Sequence, residues 1–135
     1  MTQLVKEVTL TRVAHFSAAH RLHHAELPDM FYDKCSNLHG HNYKLEVTVK
    51  GPIDPISGYV LDIKLLQEII ETEVMQRFDH KNFDADIPYF ENRVQSAENI
   101  ALYIWDLIAP RIPLPAKLFS IRLYETEKNM VEVCA

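Results

Sequence analysis

HGHNYKLEVTVK, residues 39–50, alternates without a slip. Tyr43, Leu45, Val47 and Val49 are apolar, and Asn42, Lys44, Glu46, Thr48 and Lys50 between them are polar. In a strand, successive side chains point to opposite faces, so this stretch reads as a strand with one face buried and one wet. GPIDPISG after it is built of turn-formers and reads as a loop. Before it, residues about 4–17 (LVKEVTLTRVAHFS) are rich in β-branched residues with partial alternation, which predicts a first strand.

The periodicity then changes. From about Asp62 to Phe78, Leu66, Ile69, Ile70, Val74 and Phe78 recur at helical spacing, with Asp62 placed to cap the start. A second helix is predicted after Ser96, a candidate N-cap with Glu98 in the first turn. Its stripe is Ile100, Tyr103, Ile104, Leu107 and Ile108, and Pro110 ends it. Residues 117–126 alternate again, with Phe119, Ile121 and Leu123 expected on the core face. A turn at EKN then leads to a last strand, MVEV. The order ββααββ predicts an α+β layer with both helices on one sheet face.

The whole chain, 1–135, is read as a single domain: 135 residues are enough for one core and too few to enclose a large ligand easily. A net charge of −5 argues against nucleic-acid binding, and the apolar runs are too broken to span a bilayer. MTQLVKEVTL lacks the apolar core of a secretory signal. Two cysteines, Cys35 and Cys134, make no disulfide framework, so a cytoplasmic location is expected. Against these ordinary numbers stand seven histidines.

His39 and His41, at i and i+2, share the row of Tyr43, Leu45 and Val47, and so lie at the end of the core-facing side. An in-register pair in a histidine-rich chain points to a metal site rather than to two separately satisfied imidazoles. His20 is the natural third ligand, with His15, His23 and His24 as rivals that spacing does not exclude. Three imidazoles with one open position is the pattern of catalytic zinc. Two readings of Cys35 stand: a fourth ligand closing a structural site in a non-catalytic zinc-binding module, or a thiolate base beside the metal. Asp79-His80 pairs a carboxylate with an imidazole, an arrangement for proton transfer that is also common at helix ends. Glu125 continues the row of Ile121 and Leu123. It is either a recognition group for a donor-rich heterocycle or a strand end reaching water.

FSAAHRL, Cys35 before HGHNYKLEVTVKG, IDPISGYVLD, FDHKNFDADIPYF, SAEN, YIWDLI and LYETEKN together resemble the 6-pyruvoyl-tetrahydropterin synthase / 6-carboxytetrahydropterin synthase family from about residue 8 to 133. The resemblance implies the tunnelling fold, a four-stranded antiparallel sheet with two helices, assembled as a barrel-like homohexamer, a dimer of trimers with active sites between subunits. It implies Zn²⁺ on His20, His39 and His41, with Cys35 as proton acceptor rather than ligand. It further implies Asp79 and His80 as acid/base partners contributed by a neighbouring subunit, and Glu125 as the pterin anchor.

The implied substrate is 7,8-dihydroneopterin triphosphate, whose triphosphate would meet cations among Lys34, Arg21, Lys81 and Arg93. The three residues between Cys35 and His39 resemble the carboxy branch, which releases acetaldehyde and triphosphate in queuosine synthesis. HKNFDADIPYF, SAEN, IALYIWD and YETEKN are closer to the pyruvoyl branch of tetrahydrobiopterin synthesis, which is the alternative. The carboxy branch is the leading expectation, because the cysteine loop meets the reacting side chain.

Overall fold

The computed structural model describes residues 6–135. The alternating stretch forms β2 (His39–Pro52), which pairs antiparallel with β1 (Glu7–His20) along its length, from Glu7 opposite Pro52 to His20 opposite His39. The first strand thus runs three residues beyond the predicted end, carried by pairing with the start of β2. Positions 4 and 5 of the predicted strand lie outside the described residues. Between the two strands sit a short helix, α1 (Asp29–Tyr32), and a 3-10 turn, Asp33–Ser36.

The first long helix begins where predicted. Asp62 Oδ1 accepts the Lys64 N–H at 2.9 Å, capping α2 (Ile63–Ile70). The helix continues through a π-helical turn, Glu71–Met75, into α3 (Gln76–Phe78), and Leu66, Ile69, Ile70, Val74 and Phe78 are all buried. After α3 come β3 (Lys81–Asn82) and α4 (Phe83–Asp86). Helix α5 (Ala97–Ile108) starts with Ser96 Oγ accepting the Asn99 N–H, and it buries Ile100, Ile104 and Ile108. Strands β4 (Lys117–Thr126) and β5 (Asn129–Cys134) close the sheet.

The sheet order is β3-β1-β2-β4-β5. Its four long strands are antiparallel, as expected, but β3 adds two residues pairing parallel to β1 at Ala18 and Ala19. Two residues are too few to show a period in the sequence. Both long helices bury their stripes in one cluster with Phe16, Tyr43, Leu45, Val47, Val49, Ile121 and Leu123, so they cover one sheet face. The other face is polar: Thr11 bonds Thr48, Ser17 bonds Asn42, and Arg122 bonds Glu132.

Phe119 departs from the expected alternation. The β2–β4 register shifts between Thr48 and Val49, so Thr48 faces Ser120 while Val49 faces Leu118. This bulge leaves Phe119 without a partner on β2 and reverses the phase of the strand before it. Leu118 takes the core position, whereas Phe119 is 37% exposed with the Lys50 ammonium 5.0 Å from its ring centroid.

Candidate metal centre and its surroundings

The β1–β2 register places His20 opposite His39, and His41 shares their face two residues along. The three rings converge, with one nitrogen from each lying within 4.8 Å of the others. His20 Nδ1 lies 2.7 Å from the Gln95 carbonyl, and His39 Nδ1 lies 2.7 Å from the Asn37 carbonyl. A carbonyl only accepts, so both Nδ1 atoms carry hydrogen, and in the neutral rings both Nε2 atoms present lone pairs. Those two Nε2 atoms face each other at 3.0 Å.

Two facing lone pairs repel unless a cation lies against both. Burial disfavours a proton there: it pushes His20, only 1% exposed, below the usual histidine pKa, and outweighs the opposing effects of the Gln95 hydrogen bond and the Glu125 charge. Burial likewise lowers His41, again against the Glu125 charge. His41 Nε2 is buried with no hydrogen-bond partner among the described residues. Such an orphan beside two oriented lone pairs fits a divalent metal bound by three imidazoles.

Glu125 is brought to the same place. Its carboxylate oxygens lie 3.8 Å from His20 Nε2 and 3.8 Å from His41 Nε2. It stands on the core side at a second irregularity, where the β4–β5 register shifts between Tyr124 and Thr126. Beyond it opens a cleft of about 410 Å³, lined also by Leu22, Ser96 and Glu98 at the start of α5, and by Lys128. The carboxylate therefore faces both the histidines and a space large enough for a small heterocycle.

Cys35 sits in the 3-10 turn, half-buried, and its carbonyl accepts the Leu22 N–H at 2.8 Å, which ties the turn to the chain just beyond His20. Its sulfur is not a member of the converging ligand set. The three rival histidines are also elsewhere. His15 is exposed on the polar face, His23 meets Asp84 Oδ1 at 3.0 Å, and His24 accepts the Glu26 N–H.

Asp79 and His80 form a pair of their own at the sheet edge. Asp79 Oδ2 lies 3.1 Å from His80 Nδ1, and Asp79 Oδ1 accepts the Ser17 N–H at 2.9 Å. The Ser17 hydrogen bond holds the Asp79 carboxyl below its ordinary range; burial opposes it, and the His80 contacts add to it. His80 adopts φ 62, a left-handed conformation that strains a residue with a side chain, and donates its N–H to the Ser17 carbonyl at 2.6 Å. The ring is 83% exposed. Among the described residues no hydrogen bond or ion pair joins this dyad to the three histidines.

The sequence reading missed Gln95, Asn37 and Ser17, which act through main-chain atoms or from positions without a motif. Of the candidate cations, Arg21 and Arg93 line one pocket with His23 and His24, and Arg93 lies 4.0 Å over the Tyr89 ring. Lys81 is on β3 and Lys34 lies in the exposed part of the 3-10 turn.

The family model for 6-pyruvoyl tetrahydropterin synthase matches residues 9–135. The chain belongs to this family of pterin synthases. A 6-pyruvoyl tetrahydrobiopterin synthase of Drosophila melanogaster is 48% identical over 90% of this chain and 76% of its own length. The solved structure of Caenorhabditis elegans 6-pyruvoyl tetrahydropterin synthase superposes with a TM-score of 0.91 at 35% identity, covering 99% of both chains. A 6-carboxy-5,6,7,8-tetrahydropterin synthase of Rickettsia typhi is 29% identical over 93% of this chain and 99% of its own. The tunnelling fold is thereby established for this pterin synthase. No helix among the described residues is long and apolar enough to cross a membrane.

Proposed function

We propose that this pterin synthase is a 6-pyruvoyl-tetrahydropterin synthase that eliminates triphosphate from 7,8-dihydroneopterin triphosphate. The observation that carries the branch is the gap between 48% identity to a pyruvoyl enzyme and 29% to a carboxy enzyme. The short spacing from Cys35 to His39 favours the carboxy branch, but it concerns one surface turn, where insertions and deletions are tolerated. Likeness spread over nearly the whole chain outweighs it.

The reaction balances without an external oxidant. The dihydropterin ring gains two hydrogens as the first side-chain carbinol becomes a carbonyl. Loss of triphosphate from the side-chain end gives an enol, which becomes the second carbonyl and a methyl group. His20, His39 and His41 would hold Zn²⁺, which supplies Lewis acidity toward the side-chain oxygens and lowers the cost of developing negative charge. Glu125 holds the ring by accepting from its N–H groups in the cleft beside the histidines. Cys35 or His80 removes the side-chain protons, and Asp79 orients and charges the His80 ring.

The exposure of Asp79 and His80 at the sheet edge fits their serving the site of a neighbouring copy, in a homo-oligomer. The test is product analysis after incubation with 7,8-dihydroneopterin triphosphate. Triphosphate with a diketo tetrahydropterin and no acetaldehyde supports the reading. Stoichiometric acetaldehyde assigns the carboxy reaction instead.

A further inference from the structure

We infer that Gln95 is a positioning residue for the metal centre, holding His20 in the ligating tautomer through a two-point clamp tethered to Asp84. This rests on the reading of His20, His39 and His41 as metal ligands. Gln95 is completely buried, although an amide costs free energy to bury unless every polar group is matched. Its main-chain carbonyl and both ends of its side-chain amide are matched. Its carbonyl receives the His20 Nδ1–H at 2.7 Å, its Oε1 receives the Arg21 N–H at 3.0 Å, and its Nε2 donates to Asp84 Oδ1 at 2.7 Å. One residue therefore grips the ring of His20 and the backbone immediately after it.

The amide fits only one way round. Flipping it would set its oxygen against the Asp84 carboxylate and its NH₂ against the Arg21 N–H. Asp84 is held in turn. Asn82 Oδ1 accepts the Asp84 N–H at 2.8 Å, and His23 Nε2 meets Asp84 Oδ1 at 3.0 Å. Burial opposes the Asp84 charge, yet the bonds from Gln95 and His23 keep its carboxyl below the ordinary range, so it remains an anionic acceptor.

The place of Gln95 in the chain explains why its carbonyl is free. The first acceptor of α5 is the Ser96 carbonyl, which takes the Ile100 N–H. Gln95, one residue earlier, has no helical donor to serve. Outer partners of ligating imidazoles fix ring orientation and raise ligand basicity, and losing one typically weakens metal affinity about 10- to 100-fold.

The experiment measures zinc affinity of the full-length protein by competition with a chromogenic chelator, together with the d–d absorption of the cobalt(II) form. Gln95→Ala keeps the main-chain carbonyl but cuts the side-chain ties to Asp84 and the Arg21 N–H that hold it in place, so zinc is expected to weaken about tenfold, the low end for an outer partner, and the cobalt band to alter. If that variant does not fold, the Asp84 pair decides. Asp84→Ala, at a partly exposed position, loses about tenfold, and Asp84→Asn, whose side-chain oxygen still accepts from Gln95, regains wild-type affinity. A lower melting temperature with zinc affinity and cobalt spectrum unchanged overturns the inference and leaves the metal reading intact. Failure of the wild type to bind either metal overturns both.

Discussion

Cys35 and the Asp79-His80 dyad lie in different parts of one chain, the first in a half-buried turn beside β1, the second exposed at the sheet edge. If both act in one reaction from different copies, two inactive variants must rescue each other. Cys35→Ala and His80→Ala should each lower turnover about 10²- to 10⁴-fold, the usual worth of an acid/base group. Mixed 1:1 by refolding together, a site draws each half at random. Roughly a quarter of sites then receive an intact Cys35 from one copy and an intact His80 from its neighbour, for an interface repeated around a closed ring. The assay is triphosphate release from dihydroneopterin triphosphate, and the mixture should recover roughly a quarter of wild-type turnover, about 25- to 2,500-fold above either parent. A mixture no more active than the mean of its parents would mean that both groups serve the same chain's site. Full activity in His80→Ala alone would remove the dyad from the chemistry.

The remaining predictions concern metal, pH and packing. Zinc held at one hundred times its Kd should stabilise the protein by about 2.7 kcal/mol, seen as a rise in Tm of roughly 10 °C that EDTA reverses; an unchanged Tm would count against three converging ligands. Asp79 has a depressed folded-state pKa, so its contribution is complete above the ordinary carboxylate value and is lost as pH falls through the folded one. The stability gap between wild type and Asp79→Asn, measured by urea titration, should therefore be widest near neutrality and close in acid, and a gap that grows in acid refutes the assignment. Tyr43 is buried with a hydroxyl that has no partner among the described residues, so Tyr43→Phe should be neutral or stabilising, within about 1 kcal/mol. A clear loss of Tm in that variant would show that the hydroxyl is partnered in the assembled protein.

Most of the fold was legible because its signals are periodic. The row Tyr43, Leu45, Val47, Val49 and the stripes of both long helices needed only counting, and Asp62 and Ser96 cap where their side chains allow. What escaped depends on partners rather than on local pattern. The bulge that expels Phe119 arises from the pairing of β4 with β2, and β3 exists only because the left-handed turn at His80 lays two residues along Ala18 and Ala19. The site divides the same way. His39 and His41 were visible as a pair because strand alternation fixes their direction, whereas spacing alone left His15, His23 and His24 as rivals of His20, and the β1–β2 register sets His20 opposite His39. Gln95 was invisible, since it orients His20 through a main-chain carbonyl that any residue would carry.

The same register explains why the candidate metal centre lies at this end of the sheet. Along β2 the core row is fully dry from Val49 to Tyr43, and then becomes partly wet at His41, which is 18% exposed. Across from it, β1 supplies Phe16 opposite Tyr43, the small Ala18 opposite His41, and His20 opposite His39. Ala18 leaves room for the rings to converge, and burial lowers the pKa of His20 and of His41, which favours their neutral form. Without a cation this end of the core is unfavourable, with two lone pairs facing each other and a carboxylate 3.8 Å away. With one, each of those costs becomes an attraction. Dry on one side and open through Glu125 to a cleft on the other, the cluster stands where a bound cation would be held by the core and still reach a substrate oxygen.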